Sequence, residues 1–113
     1  MLREAKKLIF DALEAARTIQ QHVAGITFTR YCEDRFFRHA IEREFEIIGK
    51  ALNRLSRKFP EIAEGIPSLR QIVDFRNQIS HGYDTVEDRV VWDIIRNNLP
   101  ALIEVLAKLE EQP

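Results

Sequence analysis

An all-α fold is what this sequence predicts: a single domain over residues 1–113, an up-and-down bundle of four to five helices around one long spine helix. Three observations carry that reading. Apolar residues recur at three- and four-residue spacing in every long segment, the signature of an amphipathic helix. No segment alternates apolar and polar residues as a half-buried strand would, and no internal repeat or low-complexity tract appears. Glycine and proline fall between the periodic runs, where helices end. A chain of 113 residues supports one real but modest core.

The first helix is expected along the stripe Leu2, Ala5, Leu8, Ile9, Ala12, Leu13, Ala16, Ile19 and Val23, with Gly25 closing it and Thr27 or Thr29 capping the next. The spine is expected to run unbroken from about Arg30 to Lys58. Its stripe is Tyr31, Phe36, Ala40, Ile41, Phe45, Ile48, Ala51, Leu52 and Leu55. At about 1.5 Å per residue it would reach roughly 40 Å. Phe36 and Phe37 point about 100° apart, so both cannot enter one core, and one is available for an interface. Phe59–Pro60 ends the spine, and Glu61–Ser68 reads as a connection whose Ser68 can cap the next helix. That helix carries Leu69, Ile72, Val73, Phe75 and Ile79. Thr85 to Asp88 resembles a capping box with Asp in the Glu position. Val90, Val91, Ile94 and Ile95 then form an apolar face with Trp92 beside it. Pro100 stops or kinks this element, and Leu99, Leu102, Ile103, Leu106 and Leu109 complete the bundle.

Composition narrows the function classes. The net charge is −1, so no overall basic field draws in nucleic acid, and any such contact rests on a local patch. The lone Cys32 rules out an intrachain disulfide and reads as a packing residue rather than a nucleophile. No apolar run approaches the ~18 residues of a membrane span, and the charged N-terminus lacks a signal-peptide core, which fits a cytoplasmic setting. His22 and His39 stand apart from any carboxylate at ligand spacing, so no metal site and no cofactor are implied. Lys50, Arg54, Arg57 and Lys58 close the spine without an acid among the last turns. They either complement the helix macrodipole or form a phosphate-binding patch.

One stretch breaks the pattern. Arg76-Asn-Gln-Ile-Ser-His-Gly-Tyr83 follows the third apolar stripe, and Arg76 falls near the middle of the apolar arc. An arginine is almost never buried without a partner, and such breaks mark functional or strained sites. On a continuing helix His81 would lie about 140° around from Arg76. Gly82 is expected to end the helix near Ser80–His81 and release the histidine from that register. Asn77, one turn before His81, is within reach of its ring. The plainer alternative is a capping histidine and an interface arginine.

This stretch matches an Arg-x4-His-x-Tyr pattern and resembles the HepT-like family of the wider HEPN group of helical proteins. Two further segments agree in order: Phe45-Glu-Ile-Ile-Gly-Lys-Ala-Leu-Asn-Arg-Leu55 is similar to the family's Ile-Gly-x-Ala helix, and Val91-Trp-Asp-Ile-Ile-Arg96 with Leu99-Pro100 to its Val-Trp segment. The resemblance covers most of the chain from about residue 30. It implies a homodimeric, metal-independent endoribonuclease with Arg76 and His81 catalytic and Asn77 and Tyr83 supporting. It further implies a toxin of a type VII-like toxin–antitoxin pair, neutralised by an MntA-like nucleotidyltransferase antitoxin that can transfer AMP to Tyr83. The family often carries an acid directly after the Ile-Gly pair, where this chain has Lys50, and a lysine there would favour phosphate binding and depress the pKa of His81.

The side chains suit that chemistry. The substrate's own 2′-OH can be the nucleophile, leaving the protein proton transfer and charge stabilisation. His81 titrates near neutrality and fits general acid or base. Arg76 stays charged and can grip a phosphate oxygen with two donors. An AMP on Tyr83 would put negative charge and bulk where RNA must sit. Lys50, Arg54 and Arg57 are candidate phosphate contacts. Two alternatives stand beside this reading: a non-catalytic helical partner of a nucleotidyltransferase, and a plain dimerisation module.

Overall fold

The computed structural model describes residues 1–81 and 86–113, with the side chain of His81 outside that description. Among the described residues there are seven helices and no strand: α1 (Arg3–Val23), α2 (Phe28–Glu33), α3 (Arg35–Lys58), α4 (Pro60–Ala63), α5 (Leu69–His81), α6 (Asp88–Asn97) and α7 (Leu99–Glu111). The all-α expectation holds, and five of these helices are the five expected elements. The two additional ones come from breaks the apolar periodicity does not reveal.

The more consequential break is at Asp34. The expected spine from Arg30 to Lys58 is two helices, because Asp34 leaves the helical region (φ −108°, ψ 95°) and its carboxylate accepts from the Phe37 N–H at 2.9 Å. An aspartate offered at an N-cap satisfies a donor that the helix start leaves unpaired, typically worth about 1 kcal/mol. Thr27, one of the two expected caps, starts α2 the same way by accepting from Arg30 N–H at 3.1 Å. The break turns the helix face. Phe36 and Ala40, expected in the core stripe, are exposed, Phe36 at 87%, while Phe37 packs inward with its ring edge-on to Tyr31.

The second additional helix, α4, occupies part of the expected connection after Phe59, with Pro60 in its first turn, where a missing N–H costs nothing. Ser68 does not cap α5 in the expected manner. It sits at φ +62°, outside the extended region of an N-cap, and its hydroxyl accepts from the Asn98 amide at 2.8 Å. At the start of α6, Glu87 rather than Thr85 holds the cap position, without a side-chain bond; Thr85 lies outside the described residues. Trp92 is buried in the α6 face and Val90 is not, the reverse of the expected arrangement. Gly25 closes α1 at φ +78°, where a side chain would be strained; the break between α6 and α7 falls at Asn98, and Pro100, expected to stop or kink the helix, sits in the first turn of α7.

Packing centres on α3, which lies against α1 on one side and α5 on the other, while α7 covers α1. At 24 residues α3 spans about 36 Å by its rise, close to the 42 Å long axis of the molecule. Ile41, Phe45, Ile48, Leu52 and Leu55 form its buried stripe, facing Ala5, Ile9, Ala12 and Ala16 of α1 and Ile72, Val73 and Phe75 of α5. The Phe45 and Phe75 rings meet edge to face, centroids 5.2 Å apart, an arrangement worth about 0.5–1.5 kcal/mol beyond area burial. A second aromatic cluster of Phe28, Tyr31, Phe37 and Trp92 joins α2, the start of α3 and α6. Arg38 ties that end together, donating to the Cys32 carbonyl and facing Asp88 at 3.6 Å. Cys32 is half-buried, and its partial desolvation and the Asp88 carboxylate hold the thiol above its ordinary pKa. That environment suits a packing residue and not a nucleophile. No described helix is long and apolar enough to cross a membrane.

Candidate active site

Arg76 is on the packed face of α5, as its place in the apolar arc predicts. Its aliphatic stem lies over Gly49 of α3: a Cβ on that glycine would come within 2.3 Å of the Arg76 Cβ and 2.5 Å of its Cγ. The Ile-Gly pair is therefore a contact requirement. Only the absence of a side chain at residue 49 lets α3 and α5 approach closely enough to seat the arginine between them. The half-buried stem explains how a cation tolerates an apolar arc, since long side chains cover apolar surface with their methylenes and keep the charged head in a wetter place.

The guanidinium enters a cavity of about 350 Å³ between α1, α3 and α5. Arg43, Lys50, Arg54 and Arg76 line it together with the carboxylates of Asp11 and Glu46, over an apolar floor from Leu8, Ile47 and Ala51. Four cations against two acids leave the cavity net positive within a chain whose overall charge is −1. This is the local patch that composition alone cannot locate. Within it, Arg76 Nη1 donates to Asn77 Oδ1 at 3.1 Å, and Arg76 Nε is buried with no hydrogen-bond partner among the described residues. A buried donor left unmatched costs free energy comparable to a lost hydrogen bond; the capacity to meet an incoming acceptor lies with the terminal nitrogens, of which Nη1 alone has a partner among the described residues.

The candidate residues separate as follows. Lys50 and Arg54 share the cavity with Arg76, whereas Arg57 does not line it and belongs to the exposed end of α3. Asn77 is adjacent, but its carbonyl oxygen is engaged by Arg76, which gives it a role toward the arginine as well as any toward the histidine. α5 is described as far as His81, and the expected stop at Gly82 lies outside the described residues. The side chain of His81 and all of Tyr83 lie outside the described residues. Arg43, Glu46, Asp11 and Leu8 also line the cavity, and the sequence motif does not mark them as site residues. On α3 the signal was available: residues 43, 46, 47, 50, 51 and 54 follow helical spacing and share a face. The α1 contribution arises from tertiary packing and has no local signature.

Glu46 marks how the two helices run. Its Oε2 accepts from the Ser80 hydroxyl at 3.3 Å. With Gly49 against Arg76, this second contact aligns α3 and α5 antiparallel and sets Glu46 beside the last turn of α5, next to His81 in sequence.

A small helical domain that seats a motif arginine over a glycine, in a cation-lined cavity at the end of one helix, defines a class of all-α proteins with a site suited to an anionic ligand. Comparison with known proteins gives the class its family. The profile described as ribonuclease HepT-like matches residues 12–109, and the chain belongs to that family. It is similar to a protein of Thermococcus cleftensis named "probable ribonuclease HepT", 29% identical over 111 residues that cover 98% of this chain and all of that one. A protein of Caldanaerobacter subterraneus, whose name assigns it provisionally as an RNase, is 30% identical over 90 residues, 80% of either chain. A Methanocaldococcus jannaschii protein with the same provisional assignment is 26% identical over 100 residues, 88% of this chain and 91% of its own. No solved structure matches the chain.

Proposed function

We propose that this protein is an endoribonuclease toxin of the HepT type that cleaves RNA by attack of the substrate 2′-OH, without a metal, using Arg76 and His81. The observation that carries the reading is the seating of Arg76: a motif cation packed over Gly49 between two helices, lining a cavity shared with Arg43, Lys50 and Arg54. Preorganised donors aimed where phosphate charge develops stabilise a transition state strongly, because they need no reorganisation during reaction. In this reading Arg76 holds the scissile phosphate, Lys50 and Arg54 hold the flanking backbone, and His81 transfers the proton. Asn77 positions the guanidinium. The expected assembly is a homodimer in which the ends of α5 face each other. The expected regulator is a nucleotidyltransferase antitoxin that adds AMP to Tyr83, blocking the RNA path by charge and bulk.

The test is cleavage of a broad RNA panel by the purified chain in excess chelator, with Tyr83 shown unmodified by mass. Arg76→Ala and His81→Ala proteins, verified as folded, run alongside. The expected result is cleavage by the wild type and at least a hundredfold loss in each variant, the general acid–base contribution being about 10²–10⁴-fold. An intact panel with unmodified wild type refutes cleavage. The non-catalytic partner reading would then take its place, with Lys50 and Arg54 binding an anion in the same cavity.

A further inference from the structure

We infer that the cavity between α1, α3 and α5 is a pocket for one nucleotide whose base carries an amino group, guanine above all, and that Glu46 reads that base. The inference rests on the ribonuclease reading and names the specificity of its site.

A cavity built for phosphate alone has no use for carboxylates, which repel the ligand. This one contains two. Asp11 is accounted for, since Lys7 Nζ binds its Oδ1 at 2.6 Å. Glu46 is not. Although four cations line the same cavity, Glu46 makes no ion pair among the described residues, and its hydrogen bond is the single 3.3 Å contact from Ser80 to Oε2. That contact uses one lone pair and leaves Oε1 and the rest of Oε2 to accept from a ligand. Leu8, Ile47 and Ala51 supply an apolar part of the same lining. A ligand that satisfies all three parts has an anionic end, a flat body and an edge of N–H donors. A nucleotide has that form. The volume of about 350 Å³ is at the lower end of the roughly 300–1,000 Å³ of small-molecule sites, enough for one unit and not for a duplex.

The base edge decides the ranking. Proteins read unstacked RNA bases by hydrogen bonds to their Watson–Crick edges. An ionised carboxylate only accepts. Guanine offers it two parallel donors, N1–H and the N2 amino group; cytosine and adenine offer one amino group each. Uracil offers N3–H flanked by two carbonyls that oppose the carboxylate. Because the Glu46–Ser80 contact sits at the last turn of α5, the base read by Glu46 belongs to a nucleotide beside the phosphate held by Arg76.

Calorimetric titration of the full chain with GMP, CMP, AMP, UMP and inorganic phosphate tests this, with RNA cleavage measured in parallel. The expected order is GMP tightest and UMP weakest, separated by about tenfold or more, the discrimination of a good bidentate base contact. Glu46→Gln, whose amide donates as well as accepts, is expected to abolish the preference by weakening GMP while UMP holds or tightens. The wild-type series needs no variant, so a folding defect in Glu46→Gln leaves it decisive. UMP binding as tightly as GMP overturns the proposal, as does a GMP affinity no better than that of inorganic phosphate, or an unchanged ratio in folded Glu46→Gln. RNA cleavage without base preference removes the pocket and leaves the ribonuclease standing. GMP preference without cleavage does the reverse.

Discussion

Placing one methyl group on Gly49 is the most direct perturbation of the site. A Cβ there would sit 2.3 Å from the Arg76 Cβ, whereas carbon atoms in good contact are about 3.5–4.0 Å apart. Relieving the overlap therefore requires α3 and α5 to separate locally by about 1.2–1.7 Å. The atom met is a Cβ, fixed to the α5 backbone, so no rotamer change removes it. Two effects oppose. Ala for Gly in a helix interior gains about 1 kcal/mol in propensity, and overpacking a close interface costs about 1–3 kcal/mol, more where backbones must move. Because this overlap is at backbone level, the steric term wins: Gly49→Ala should lose about 1–3 kcal/mol net and lower Tm by several degrees. Chemical denaturation of the single and double variants checks the cause. Arg76→Ala keeps its Cβ and should not rescue Gly49→Ala, whereas Arg76→Gly should, giving a coupling energy above about 1 kcal/mol. A neutral or stabilising Gly49→Ala, or equal behaviour of the two Arg76 backgrounds, refutes the close-approach argument.

Three further outcomes follow from the same structure. Lys50→Gln should flatten the salt dependence of RNA binding by about 0.7 in log–log slope, one single-strand phosphate contact. Arg57→Gln, outside the cavity, should leave the slope unchanged in the same anisotropy titration. Tyr31 is fully buried and its hydroxyl has no partner among the described residues, so Tyr31→Phe should keep or raise stability, by up to about 1 kcal/mol. A loss above that in denaturant melts would mean the hydroxyl is satisfied. Burial holds the Glu42 carboxyl above its ordinary 4.5, ahead of the charges around it. A carboxyl raised on folding stabilises the fold most below its ordinary value and progressively less as pH rises through the raised one. Glu42→Gln should therefore raise Tm at pH 7, and the gain should vanish near pH 4 in a series of thermal melts.

Helical periodicity made most of the fold legible. Ala5, Leu8, Ile9, Ala12, Leu13, Ala16, Ile19 and Val23 are buried as their spacing requires, and so are Leu69, Ile72, Val73 and Phe75, whereas Leu2, expected to open the first stripe, precedes α1 as its N-cap and is exposed. The failures cluster where a short polar side chain outweighs periodicity. Asp34 sits inside a run that reads as one helix, yet a carboxylate that can reach the Phe37 N–H offers the backbone a competing arrangement. Once the chain breaks there, the phase of the stripe before it no longer predicts the phase after it. That is why the stripe puts Phe36 in the core, whereas the structure has Phe36 exposed and Phe37 packed.

The site was legible as letters and not as a place. Arg76 stood out because it violates its own helix's pattern, and that signal needs no second helix. Its companions do: Arg43, Glu46, Lys50 and Arg54 look like an ordinary solvated face until α5 is laid against Gly49 and α1 supplies Leu8 and Asp11. Dividing α3 along its length, into a mixed-charge middle and a basic end, groups Lys50 and Arg54 with Arg57. Dividing it by face, at three- and four-residue spacing, groups them with Arg43 and Glu46 instead. The second division matches the cavity, and it changes what Lys50 means. Judged by residue 50 alone, the α3 wall of the site is simply basic. Judged by the face, an acid is present one turn earlier, at Glu46, on the α3 wall of the cavity that Arg76 lines from α5. Both signs then share this wall, which is why Glu46, and not Lys50, is the residue whose substitution should change what the cavity accepts.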